Sequence, residues 1–264
     1  KTLIARGADC THADRAGNTV LHYIGLINEP PYLDMALEKN ADPCVVNKAH
    51  QSPLHVAISR GCTLIVKGLL EHFKKCGVAL TLDSLGRSFL HYACHYGNAD
   101  CCLMLLQGGC NSGVCDNNGY APLHVACSRT AVNCVHTLTS FRADVNIRHS
   151  KDGRTPLHFA VETGDQEIVS MLLAAGAHAD EADEMQRTPL HIAVFHGHRD
   201  IMKTLVDEGA PINAADKYGN TALILAARNS HAHLVPLLLK YHADPAACNN
   251  KNITALAAAK AVKN

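Results

Sequence analysis

Eighteen histidines and twelve cysteines supply this 264-residue chain with many side chains that could ligate a metal or act as nucleophiles. The densest group, His91-Tyr92-Ala93-Cys94-His95, sets two imidazoles at i, i+4 on one helical face, a spacing that two ligands of one zinc ion can share. It lacks the glutamate that a zincin helix uses as general base. His191, His196 and His198, around Phe195, form a second group. Cys110 and Cys115 do not have C-x-x-C spacing, and no second cysteine pair completes a tetrahedral site. No G-x-S-x-G elbow, phosphate-cradling glycine loop or kinase signature occurs, and the carboxylates and lysines are scattered. These spacings assign no catalytic residue, metal or cofactor.

What positions the histidines is a repeat. Taking His158 of Thr155-Pro156-Leu157-His158 as marker, the equivalent residues are His22, His55, His91, His124, His158 and His191, with Ile224 and Ala257 in the same slot. The intervals are 33, 36, 33, 34, 33, 33 and 33 residues, a period that denotes an array of supersecondary units. Within a unit, Leu157, Ala160 and Val161 and then Ile168, Val169, Leu172 and Leu173 give two apolar helical stripes, with Gly164 between them. Proline at the second tetrad position (Pro53, Pro122, Pro156, Pro189) suits a first helical turn, Thr155 suits the N-cap, and Gly164 and Gly176 suit left-handed helix ends.

The stretch from Gly153 through Gly164, followed by Ile168-Val169, Leu172-Leu173 and Gly176-Ala177, resembles the ankyrin repeat, and the resemblance covers essentially the whole chain. It implies an all-α ankyrin-repeat solenoid of stacked helix-turn-helix units joined by finger-like β-turns. The expected units are 14–46, 47–82, 83–115, 116–149, 150–182, 183–215 and 216–248, with partial repeats at 1–13 and 249–264 forming a single array. Leu3-Ile4 reads as a helix end and Arg6-Gly7-Ala8-Asp9 as the turn after it, so the sequence reads as a segment of a longer array. The resemblance also gives the six tetrad histidines a structural role, tying finger to helix through the tetrad hydroxyl.

Departures from the period carry expectations of their own. Asn28-Glu29-Pro30-Pro31 replaces the glycine-led turn with its length kept. Three extra residues around Glu71–Gly77 predict a longer second helix or an enlarged loop, and one extra residue in Arg148–Gly153 predicts an enlarged finger. Thr130 and Ser230 replace helix-ending glycines and Pro236 falls in a second helix; each costs stability, up to about 3 kcal/mol for proline in a true helix interior.

Lys and Arg total 24 and Asp and Glu 24, so bulk charge indicates neither nucleic acid nor a membrane surface, and no apolar run approaches the roughly 20 residues of a membrane span. The N-terminal stretch lacks a signal-peptide core. Cys94 and Cys127 occupy the slot of Val161, Val194 and Ala227, and Cys101, Cys102 and Cys134 the slots of Ile168, Val169 and Ile201. The cysteines therefore read as buried thiols of a reducing compartment, cytoplasmic or nuclear.

In the family that the chain resembles, partners bind a concave surface lined by fingers and first helices. The corresponding positions here carry Arg15, Lys48, Arg87, Lys151, Arg154, Arg187, Lys217 and Lys251 in the fingers and Arg60, Arg129 and Arg228 in the first helices. Against Asp152, Glu162 and Glu184 they leave a net +8, which falls to +3 when Asp14, Asp83, Asp116, Asp183 and Asp216 at the finger bases are counted. Leu85, Tyr96, Tyr120, Met185, Phe195 and Tyr218 share that face, and aromatics beside arginine are typical of interface hot spots. The expected partner-binding set is Arg87, Tyr96, Tyr120, Arg129, Arg154, Met185, Arg187, Phe195 and Tyr218, and the expected partner is a protein or peptide with an acidic segment. Solvating charge with scattered exposed apolar residues is the plain alternative.

Leu138 through Asn146 further resembles the sequence modified by the asparaginyl hydroxylase that acts on hypoxia-inducible factor, with leucine eight residues and an acid two residues before Asn146. That makes Asn146 a modification candidate. Asn213 matches less well, and a turn hydrogen bond is the ordinary role for either. The sequence thus points to a non-catalytic protein-interaction module. The alternative is a regulatory or substrate-recruiting segment of a larger enzyme, ubiquitin-ligase adaptor or channel.

Overall fold

A computed structural model describes residues 9–262, and among them the structure is built from helix pairs, each preceded by a finger-like turn. The described residues form two compact units, one up to Ala143 and one from Asp144. The first contains α1 (Val20–Ile24) with α2 (Pro30–Glu38), α3 (Pro53–Ser59) with α4 (Thr63–Cys76), α5 (Phe89–His95) with α6 (Ala99–Gln107), and α7 (Pro122–Ser128) with α8 (Val132–Ser140). The second contains α9 (Pro156–Thr163) with α10 (Gln166–Ala174), α11 (Pro189–His196) with α12 (Arg199–Asp207), α13 (Ala222–Arg228) with α14 (Val235–Lys240), and α15 (Ala255–Val262). The readings placed on Leu3-Ile4 and Arg6-Gly7-Ala8 lie outside the described residues.

Each unit buries the stripes that the repeat predicts. The tetrad leucines Leu54, Leu90, Leu123, Leu157 and Leu190 are buried, each contributing roughly 1.5–3 kcal/mol by leaving water. The alanines three residues later, from Ala57 to Ala226, are wholly buried and let successive first helices approach closely within each unit. Among the second helices, Ile65, Val66 and Leu69 fill the same places as Ile168, Val169 and Leu172. Cys94, Cys101, Cys102, Cys127 and Cys134 have no exposure, as the slot argument expects; Cys44, Cys76, Cys115 and Cys248 are exposed and serve no core. Hydrogen bonds with Cys102 and Cys134, together with burial, push the Cys94 thiol well above its ordinary pKa.

Backbone handedness recurs with the same period. Six residues after the marker, Asn28, Gly61, Gly97, Thr130, Gly164, Gly197 and Ser230 all have positive φ, so Thr130 (51°) and Ser230 (61°) accept the left-handed geometry that glycine takes elsewhere. Such a position costs a β-branched residue on the order of 1 kcal/mol relative to glycine. At Gly164 the space is also closed, since an added Cβ would meet the His198 ring at 2.8 Å.

The extra three residues lengthen a helix rather than a loop: α4 has 14 residues, against nine in α6, α8, α10 and α12. Its added turn buries Phe73, carries Lys74 and Lys75 at the end where a cation complements the dipole, and stops at left-handed Gly77. Gly68 in the same helix is there for contact, because a Cβ would lie 2.6 Å from Leu33 Cδ2 of α2. Pro236 does not sit in a helix interior. The chain forms a 3-10 turn over Ala232–Leu234 and restarts at Val235, so the proline falls in a first turn and the expected penalty is avoided.

Candidate functional site

The finger is held by its base acid. Asp83 Oδ1 accepts from the backbone N–H groups of Leu85 (2.9 Å) and Arg87 (2.8 Å). Asp14, Asp116, Asp183 and Asp216 do the same two and four residues ahead, and Asn47 and Asn249 substitute an amide oxygen. Successive tips are then joined by backbone bonds of 2.9 Å, Lys48 N–H to Ala16 and Asn117 N–H to Leu85 in the first unit, and Glu184 N–H to Asp152 and Lys217 N–H to Met185 in the second. The enlarged finger also appears: His149 stands at the base, its N–H reaching the Arg154 carbonyl one residue further than usual. Asp152 supplies the displaced carboxylate, accepting from His149 Nδ1 at 2.6 Å and Arg154 Nε at 2.7 Å.

The tetrad histidines fasten each finger to its helix. His158 Nδ1 accepts from the Thr155 backbone N–H (3.1 Å) and hydroxyl (2.9 Å), which leaves the proton on Nε2, donated to the Arg187 carbonyl of the next finger at 3.0 Å. His22, His91 and His191 repeat the pattern. Burial lowers the pKa of all four, that of His158 to about 4 despite its backbone bond. His124 accepts the Ala121 backbone N–H at 3.0 Å with no tetrad hydroxyl beside it, and His55 departs in another way. Its Nδ1 is bound by Ser52, but its buried Nε2 meets no acceptor, and the ring packs instead on Phe89 and Tyr92, 4.4 and 4.5 Å between centroids. The extra turn of α4 lies between His55 and the next finger, Asp83–Arg87, and burial likewise takes His55 to about 4.

The arginines expected at the tips are engaged within their own fingers. Arg87 binds the buried Asp83 carboxylate through Nε (2.8 Å) and Nη2 (2.7 Å), donates to the Tyr92 hydroxyl and lies 4.7 Å over that ring. Burial opposes Asp83 ionisation, but hydrogen bonds from Arg87 and Tyr92 hold its carboxyl below the usual range, while burial and that carboxylate raise Tyr92 to about 12. Arg154 bridges Asp152 and Glu162 and covers Phe159 at 4.2 Å, and Arg187 grips Asp183 by two nitrogens. The recurring device is an arginine four residues before the marker, with an aromatic one residue after it in two of the three.

In the first unit, Tyr96 and Arg129 line one hollow of about 360 Å³ beside His95, whose pKa burial lowers. Tyr120 is half-buried and contributes its carbonyl to His91. A smaller hollow of about 250 Å³ holds Tyr23, Leu26 and Arg60. Tyr23 and Leu26 are absent from the sequence-derived set, although Tyr23 follows its marker as Tyr92 and Phe159 do. In the second unit, Arg154, Arg187, Phe195 and Tyr218 line one cleft of about 780 Å³ with Ile192, Leu225, Arg228 and Lys251. Met185 does not line this cleft; its backbone serves the finger ladder.

Asn146 spans two turns, its Nδ2 donating to the Gly176 carbonyl (3.0 Å) and its Oδ1 accepting from His178 N–H (2.9 Å). Asn213 bridges His242 and Asp244 in the same way. Among the described residues no helix is long and apolar enough to cross a membrane, and no cluster of three metal-ligating side chains occurs.

Family models described as ankyrin repeats match residues 73–149, 141–216 and 205–259. Inversin of Canis lupus familiaris is 32% identical over 175 residues, 64% of this chain and 16% of its own length. Human transient receptor potential cation channel subfamily A member 1 is 29% identical over 178 residues, 65% of this chain and again 16% of its own. Among solved structures, the ankyrin repeat domain of Bcl-3 has a TM-score of 0.73 at 28% identity, covering 81% of this chain and 99% of that one. The human ASB11 ankyrin repeat domain has a TM-score of 0.70 at 31% identity, covering 79% and 92%.

Proposed function

Since the chain belongs to the ankyrin-repeat family, whose repeats are protein–protein interaction modules, we propose that it is a non-catalytic binding module. It engages a partner protein or peptide, one with an acidic segment, on the finger and first-helix faces. The observation that carries this reading is the bracing of the fingers by base acids, tetrad histidines and tip-to-tip backbone bonds, beside exposed Tyr96, Phe195 and Tyr218. A braced face loses little ordering entropy on docking. The buried cysteines support a reducing compartment, cytoplasmic or nuclear, and the balanced charge disfavours nucleic acid.

The test is affinity capture with the whole chain against a variant carrying Tyr96→Ala, Arg129→Glu, Phe195→Ala and Tyr218→Ala, with folding checked by circular dichroism. Partners lost by the variant are expected, and an identical set captured by both would overturn the reading. A second reading, recruitment within a larger enzyme, adaptor or channel, is supported by relatives of which this chain spans only 16%. The resemblance around Asn146 adds a proposed hydroxylation there, tested by mass spectrometry of the peptide from cell-derived protein; an unmodified peptide removes it.

A further inference from the structure

Charge in the second unit's cleft is unevenly spent. Glu162 is bound by Arg154, and Asp216 accepts from two backbone N–H groups and the Asn220 amide. Arg154 is in turn paired with Asp152 and Glu162, and Arg187 with Asp183. Two further cations line the cleft, Arg228 at the end of α13 and Lys251 in the following finger. Both are exposed, and no ion pair involves either among the described residues. The two cations that no ion pair engages thus stand beside exposed aromatic surface, Phe195 at 52% and Tyr218 at 60%. Its volume of about 780 Å³ falls in the range of roughly 300–1,000 Å³ of clefts that enclose a small ligand.

We infer that this cleft seats a short extended peptide whose bulky apolar side chain lies against Phe195 and Tyr218 while flanking carboxylates meet Arg228 and Lys251. The inference rests on the protein-binding reading above and moves the anion-receiving role away from Arg154 and Arg187, whose charge is already neutralised. An acidic occupant also follows from cost: a cationic segment would meet two unpaired like charges at Arg228 and Lys251, whereas Glu162 is held by Arg154 and Asp216 Oδ1 is turned to its own finger's N–H groups.

The probe is a fluorescein-labelled octapeptide of alternating glutamate and leucine, measured by anisotropy against the whole chain, beside lysine–leucine and glutamate–serine counterparts. The glutamate–leucine peptide is expected to bind at least about tenfold more tightly than either, and to weaken as salt rises. Arg228→Glu with Lys251→Glu, and separately Phe195→Ala, should each weaken it about tenfold, while Lys203→Glu on α12 leaves it unchanged; thermal melts confirm that each variant folds. Equal binding of all three peptides overturns the inference, as does binding indifferent to Arg228 and Phe195. Binding lost through Arg129→Glu alone would place the site in the first unit, leaving the module reading intact. No peptide binding with captured partners still lost on the quadruple substitution would sink the cleft alone, and concentration-dependent self-association abolished by Phe195→Ala would name a second copy as occupant instead.

Discussion

Lowering the pH from 7 to 5 should loosen the stack through its buried imidazoles. His158 holds a single tautomer, Nδ1 accepting and Nε2–H donating, so a second proton on Nδ1 would meet an N–H group head-on in a buried site. Burial sets its pKa, and that of His55, at about 4 against 6.5 for a free imidazole. Folded pKa values below the unfolded one mean that the unfolded chain takes up more protons between those limits. Stability is then complete above about pH 6.5 and falls as the pH drops toward 4. At pH 5 the loss is about 2 kcal/mol for each of the two residues, and His22, His91 and His191, also lowered by burial, act in the same sense. Asp83 and Asp152 carry depressed pKa values and lose their contribution only at and below the ordinary carboxylate range, so the window from pH 6.5 to 5 belongs to the histidines. Urea unfolding at pH 7, 6 and 5 should give falling midpoints, and His158→Gln should reduce the pH-dependent loss by about 2 kcal/mol. Coincident midpoints, or a His158 ring titrating by NMR near 6.5, would refute the reasoning.

Other substitutions separate bracing from binding. Arg87→Ala should destabilise by about 1–3 kcal/mol in thermal melts, since it leaves the buried Asp83 carboxylate without its guanidinium partner; Arg228→Ala should leave the melting temperature nearly unchanged. Thr130→Gly should stabilise by up to about 1 kcal/mol by relieving its left-handed backbone, and Gly164→Ala should destabilise through both φ and the His198 contact. Asn146→Ala should cost about 1–2 kcal/mol in urea unfolding through its two lost turn bonds. Phe73→Ala should cost about 3 kcal/mol, because the last turn of α4 exists to bury that ring.

Much of the fold is legible because its determinants are local and periodic. Tetrad prolines, slot-matched cysteines and the marker spacing announce helix starts and core positions without reference to anything distant. The three-residue insertion left two solutions, and what favours the longer helix is Phe73: an apolar residue one turn beyond the usual stop buries surface if the helix continues. Pro236 misleads for the opposite reason. The period places it inside a helix, yet the chain restarts its hydrogen-bonding one residue earlier, which the period does not encode. Asn28, Thr130 and Ser230 take left-handed backbone without glycine because the packing of helix pairs on either side fixes the turn.

The face was harder to read than the fold, and the reason is charge pairing. Counting cations and acids along the fingers treats Arg87, Arg154 and Arg187 as equivalent to Arg228 and Lys251, and a sum over residues is blind to which charges have already met. The pairing does leave a trace in the sequence. An acid four residues before an arginine, with an aromatic five residues after it, describes Asp83, Arg87 and Tyr92; in the enlarged finger the base residue His149 is five before Arg154, the acid Asp152 is two before it, and Phe159 keeps its place five after. Where that pattern is complete, the guanidinium braces its own finger and lies over the ring. Where it is absent, as at Arg228 and Lys251, no ion pair engages the charge among the described residues, which is why the proposed anion-receiving role is placed there.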